Sequence, residues 1–360
     1  MSKYLWNWFP SYLKERLRSV FTDGRGDRFE GPRHVMFLFV DHLELAGKSP
    51  RLERWLERYP ALASRHVDFD GKRPKHTWFY AMDLMREEEL VQLKTMVESG
   101  LGEIELHWHH GGDTPETFLP KLRDGLRTFQ KHGFMRPSDG KKSACFAFIH
   151  GNWSLDNSLG PDFCGVDNEI ALLRDAGCYA DFTFPALFSK AQPATINSIY
   201  YVVDDGKPKS YERGRVARVG VGQSDDEFMI FQGPLTVNWR DWRFKWHPGI
   251  EDGEINKSNS HDNTRRIDAW IAQGIGVVGR PEWIFVKVFC HGGQDHEAVL
   301  GDATDRMFTY LEKRYNDGAK NRLHYVTARE AYNIVKAAED GRTGDPNEYR
   351  DYVLPPPLHR

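Results

Sequence analysis

Three imidazoles fall within four positions at His107-Trp108-His109-His110, directly before Gly111-Gly112-Asp113. The preceding residues, Glu103-Ile104-Glu105-Leu106, alternate as a strand does, and successive strand side chains point to opposite faces. His107 and His109 therefore share a face, while His110 turns away unless the strand has ended. Neutral imidazole is the commonest metal ligand, and two on one face can share an ion. This stretch is expected to form a metal or catalytic centre.

Other apolar runs of strand length end the same way. His34 to Val40 is continuously apolar after its first residue and closes in Asp41-His42-Leu43-Glu44. Cys145 to His150 runs into Gly151-Asn152-Trp153-Ser154-Leu155-Asp156, and Trp283 to Cys290 runs into His291-Gly292-Gly293. Titratable groups at the end of a buried strand are costly unless solvated or in use. In α/β proteins the carboxyl ends of parallel strands are where chemistry is placed.

The elements that must position these groups can be read from periodicity. Strands are expected at 34–40, 76–80, 103–109, 145–150, 179–184, within 229–238, at 283–291 and at 323–326. Helices are expected at 49–66, 83–99, 114–132, 167–176, 264–273, 300–315 and 327–339. Thr114 with Pro115, and Thr327 with Glu330, mark two helix starts. Strands alternating with helices imply parallel pairing and right-handed crossovers. With seven or eight strands and no Gly-x-Gly-x-x-Gly turn or P-loop, the expected architecture is one distorted β/α barrel over 33–340, with an irregular excursion at 190–262. Residues 1–32 form an N-terminal helix and linker, and 341–360 a loosely attached tail.

The totals narrow the class. A chain of 360 residues with 40% apolar and 28% charged residues and a net charge of -3 has the profile of a soluble globular protein, and nothing in it favours nucleic acid. Eleven tryptophans and 14 tyrosines are mostly core, although such residues also line sugar sites. Cys145, Cys164, Cys178 and Cys290 form neither a Cys-x-x-Cys pair nor a disulfide framework. No run approaches the roughly 20 apolar residues that span a bilayer, and no apolar leader is present, so the cytoplasm is the expected compartment. Residues 3–21 place Trp6, Phe9, Leu13, Leu17, Val20 and Phe21 at helical spacing among basic residues. This reads first as a helix packed across the domain's end, and second as a peripheral membrane contact.

The order of these segments resembles the NodB-like polysaccharide deacetylase superfamily (carbohydrate esterase family 4-like) over roughly residues 33–330. That family begins with a strand ending Thr-Phe-Asp-Asp-Gly, matched by Leu38-Phe39-Val40-Asp41-His42. A strand like Ala-Thr-Phe-Phe is matched at His76-Thr77-Trp78-Phe79-Tyr80. The family's Gly-His-Glu-Ile-Gly-Asn-His-Thr-x-x-His falls on Gly102 to His110, and its Leu-x-His on Phe289-Cys290-His291. The chain departs from the pattern at His42, which replaces a metal-binding Asp. Gly111 stands where the second motif histidine falls, and the Arg-x-Pro segment is replaced by His150-Gly151-Asn152-Trp153.

The resemblance implies metal-dependent removal of an N-acyl group, acetyl or formyl, from an amino sugar in surface-polysaccharide or O-antigen biosynthesis. It assigns Asp41 as general base, His291 as general acid and His107 as the firmest metal ligand, with His109, His110 and His42 as further candidates. Imidazole-rich ligation favours a single zinc ion. His150, Asn152, Trp153, Asp156 and Asp181 are candidate sugar contacts, and Glu44 and Asp113 candidate partners that orient the histidines. Two other readings stand beside it: a hydrolase of another small or cyclic amide, and a sugar-binding or assembly protein that has lost catalysis.

Overall fold

A computed structural model describes residues 4–22, 29–137, 144–187, 189–243, 247–259 and 261–358. The chain runs α1 (Leu5–Thr22), β1 (Arg33–Leu43), α2 (Ser49–Ala63), β2 (His76–Ala81), α3 (Glu87–Glu98), β3 (Gly102–Trp108), α4 (Pro115–Lys131), β4 (Phe146–His150), α5 (Glu169–Ala176) and β5 (Cys178–Asp181). The excursion follows as β6 (Ile199–Val203), β7 (Arg215–Val216), β8 (Glu227–Phe231), β9 (Thr236–Arg243), β10 (His247–Glu251) and β11 (Glu254–Ile255). The last third is α6 (Thr264–Ile271), β12 (Trp283–Cys290), α7 (His296–Val299), α8 (Asp302–Tyr315), β13 (Asn321–Val326) and α9 (Ala328–Glu339).

The result is a mixed α/β fold around one large, mostly parallel sheet in the order β11-β12-β1-β2-β3-β4-β5-β8-β6-β7. β1 is the central strand. β12 pairs with it on one side along 34–41, while β13 takes its first half and β2 its last five residues. Alternation divides its side chains. Val35, Phe37, Phe39 and Leu43 pack with helix residues such as Leu52, Leu93, Phe118 and Phe308. Met36, Leu38 and Val40 join an inner cluster with Phe182, Phe231 and Phe285, in which Phe182 and Phe231 stack at 4.9 Å. β3 carries the same division: Ile104, Leu106 and Trp108 lie among the helices. Glu103, Glu105 and His107 alternate with them, and Glu105 accepts from Ala147 N and from Tyr179.

The named strands do not close into a ring among the described residues. A hydrogen-bonded path nevertheless runs from β6 to β12: Ala217 N to Ile199 O, Val278 N to Ala217 O, and Phe285 N to Ile275 O. The excursion expected to be irregular thus contributes β8 to the parallel sheet and β6 and β7 as antiparallel neighbours. β8 overlaps the strand expected within 229–238, whereas periodicity missed β6 and β7 because they are short.

The first and last described segments are both fastened to the fold. Trp8 and Tyr12 of α1 are buried with Ile196, Leu235 and Val237, and Trp239 Nε1 donates to the Tyr12 hydroxyl at 2.8 Å. The side chains of Leu17, Val20 and Phe21 lie outside the described residues, as do Trp242's side chain and Trp246. Among the described residues no helix is long and apolar enough to cross a membrane. The tail expected to hang loosely is instead docked through residue 354. The Asn333 amide bonds to Arg350 O, Leu354 O and Leu354 N, and Arg329 reaches Glu103, Asp351 and Leu354 O.

Candidate metal centre

β1 continues to Leu43, so its alternation carries past the apolar run. His42 and Glu44 face the same way as Val40, and Asp41 faces the opposite way with Phe39 and Leu43. Glu44 thereby meets the histidines at the end of β3. Its Oε1 lies 3.4 Å from His107 Nε2 and 3.4 Å from His109 Nε2. His107 Nδ1 bonds to Ile149 O at 3.1 Å, which leaves its buried Nε2 facing Glu44. His109 Nδ1 lies 3.1 Å from Asp83 Oδ2, and its backbone N donates to Asp83 Oδ1 at 3.0 Å. Both rings are thus held through Nδ1 with Nε2 turned to a shared carboxylate, as in carboxylate–histidine–metal arrangements.

The three ligand atoms lie within 4.8 Å of one another, close enough to hold a metal ion. Burial would raise the Glu44 carboxyl, but hydrogen bonds from His107 and His109 pull it well below the usual range. Burial would lower His109, but Asp83 and Glu44 outweigh it and raise the imidazole to about 9. Gly151 makes room for it, since a Cβ there would stand 2.3 Å from the His109 ring.

Beside this triad His42 lies with ring centroids 5.0 Å from His107, 4.7 Å from His291 and 5.1 Å from Trp153. His42 Nδ1 is buried without a partner. Trp153, Phe289 and His291 line a cleft of about 260 Å³ together with Leu187, Asp252 and Glu254. Burial, then the Glu251 and Glu254 charges, push the Asp252 carboxyl up to about 7. Sequence reading overlooked Asp83, Asp252 and Glu254. Asp83 follows the end of β2 and obeys the strand-end rule used elsewhere; Asp252 lies between β10 and β11 and gave no signal.

Several expected site residues go elsewhere. Asp41 is fully buried toward the helices, with its carboxylate 3.1 Å from His76 Nε2 and accepting from Gly292 N at 2.6 Å. It anchors the segment that carries His291 and is not joined to the His107–His109 pair. His110 turns away as alternation requires, stacking on Trp108 and bonding to Glu169 at 2.9 Å. His150 points to that same group, with Nε2 3.8 Å from Glu169. Asn152 spends its amide on His110 O and Phe163 O. Asp156 is buried and accepts from Ser210 N at 2.7 Å, and burial pushes its pKa up to about 8. Asp181 bonds to Thr183 near the buried Lys287, which donates to Phe182 O and Phe184 O. Asp113 pairs with Lys121 at 2.6 Å and faces His110, not His107. Of the five expected sugar contacts, only Trp153 lines the cleft. Glu44, expected to stand behind the histidines, instead joins His107 and His109 as a third possible ligand.

No family model matches the chain, and no curated protein does. Among solved structures, a 4-alpha-glucanotransferase from Thermococcus litoralis aligns with 13% identity and a TM-score of 0.44, over 81% of this chain and 39% of that one.

Proposed function

We propose that the chain is a metal-dependent hydrolase that removes an N-acyl group from an amino sugar, on a distorted β/α barrel of the NodB deacetylase type. The observation that carries this reading is the open triad of Glu44, His107 and His109 beside a cleft lined by an aromatic ring and acids. Bound there, a divalent ion, zinc by the donor set, would supply Lewis-acid polarisation of the acyl carbonyl and activation of water.

The remaining roles belong to side chains. His291 faces the cleft and is the group to hand a proton to the departing amine. His42 lies against it and is the second imidazole able to hold or pass a proton. Asp41 acts as a positioning residue, fixing Gly292 and with it His291. Trp153 offers a face to a sugar ring, and Asp252 and Glu254 suit an amine that becomes cationic on release. A surface-polysaccharide or O-antigen precursor is the substrate class to try first.

The test is incubation of the purified, zinc-loaded chain with acetylated and formylated amino sugars, followed by mass spectrometry. Loss of an acyl group is expected, with turnover in His291→Ala reduced about 100-fold or more. Sugar binding without turnover would instead make the chain a binding protein.

A further inference from the structure

A second set of metal-ligand side chains lies wholly buried near the ends of β3 and β4. His110 follows β3, His150 ends β4, Cys164 lies in the loop before α5, and Glu169 opens α5. None is more than 6% exposed, and their ligand atoms all lie within 4.8 Å of one another. Glu169 Oε1 stands 2.9 Å from His110 Nε2 and 3.8 Å from His150 Nε2, and Glu169 Oε2 stands 3.5 Å from Cys164 Sγ. His150 Nε2, His110 Nδ1 and Asp113 Oδ2 are buried with no hydrogen-bond partner. Leaving such groups unpaired is costly.

We propose that His110, His150, Cys164 and Glu169 bind a second divalent ion, of the zinc class, as a closed structural site. Two imidazoles, a thiolate and a carboxylate from four separate segments form a complete tetrahedral donor set for zinc. Asp113 Oδ2, 3.4 Å from His110 Nδ1, stands where a carboxylate orients a ligating imidazole. The triad at Glu44 has the complementary character, with three donors, of which Glu44 and His109 are only half-buried.

Binding replaces the His110–Glu169 and Cys164–Glu169 hydrogen bonds and gives up one contact more. Asn152 N donates to His150 Nδ1 at 3.1 Å, and ligation through Nε2 requires that nitrogen to carry a proton, so the His150 ring turns off Asn152 N as the ion enters. The Cys164 thiol proton is released to solvent at the same step. The ion then ties the ends of β3 and β4 to the 158–168 loop and α5.

Cys164 makes this site distinguishable from the other, which contains no sulfur. The full chain is stripped, reloaded with cobalt(II) and examined by absorption and metal analysis. Two equivalents of cobalt are expected, with a thiolate-to-cobalt charge-transfer band in the near ultraviolet. The band and one equivalent should vanish in Cys164→Ser. His107→Ala should lose the other equivalent and keep the band. A wild-type protein with no thiolate band, or a band undiminished in Cys164→Ser, overturns the proposal. Neither result depends on whether the cleft deacylates a sugar.

Discussion

At the scale of the residue, the division of labour among neighbours follows from which side of a strand each occupies. His107 and His109 face Glu44, whereas His110, one step on, belongs to a different group. That much was legible, because alternation over Glu103 to His109 is strict. The misplacement of Asp41 has the same origin. The apolar run stops at Val40, but β1 continues to Leu43, so Asp41 and His42 point to opposite faces. Apolarity marks where a strand is covered, and the hydrogen-bonded ladder goes on after it. Asp83 matters through His109. Replacing it by Asn removes the charge that orients the ring, and zinc affinity at the triad should fall about 10- to 100-fold, measured by competition with a chromogenic chelator. Unchanged affinity would remove Asp83 from the site.

At the scale of the element, the strand ends meet only because backbone passes close behind them. Gly151 has its α-carbon against the His109 ring. Gly151→Ala should displace that ring and weaken zinc binding while leaving the far-ultraviolet circular dichroism of the fold intact; equal affinity in the variant would show that His109 does not need this approach. α9 shows the same dependence on a buried contact. Arg329 pairs with Glu103 at 2.7 Å, both largely shielded from water. Arg329→Met strands the carboxylate and should destabilise the protein by about 3–5 kcal/mol in urea unfolding. The helix itself was readable from Thr327 and Glu330, whose reciprocal bonds are present. Its clamp on the tail was not, since Asn333 and Arg329 reach backbone carbonyls that no residue pattern encodes.

At the scale of the whole molecule, the alternation of strands and helices conveyed the mixed α/β class and the large parallel sheet. It did not convey β6 and β7, which are too short to show a period. The base of the sheet carries a titration of its own. His34 and His324 are hydrogen-bonded at 2.8 Å where β1 and β13 begin, and burial followed by His324 lowers His34 from 6.5 to about 4. Between those values the unfolded chain binds more protons than the folded one, so stability is retained above pH 6.5 and declines as pH falls toward 4. Thermal unfolding across this window should show that decline, and His34→Gln should flatten it. An identical slope in the variant would place the pH dependence elsewhere.

The central claim, that the converging strand ends hold a divalent ion for hydrolysis, is tested most directly by calorimetric titration of zinc into the stripped protein. Wild type should bind one equivalent more than both His107→Ala and Glu44→Gln, with the folds of both variants intact. Equal stoichiometry and affinity in all three proteins would contradict the account.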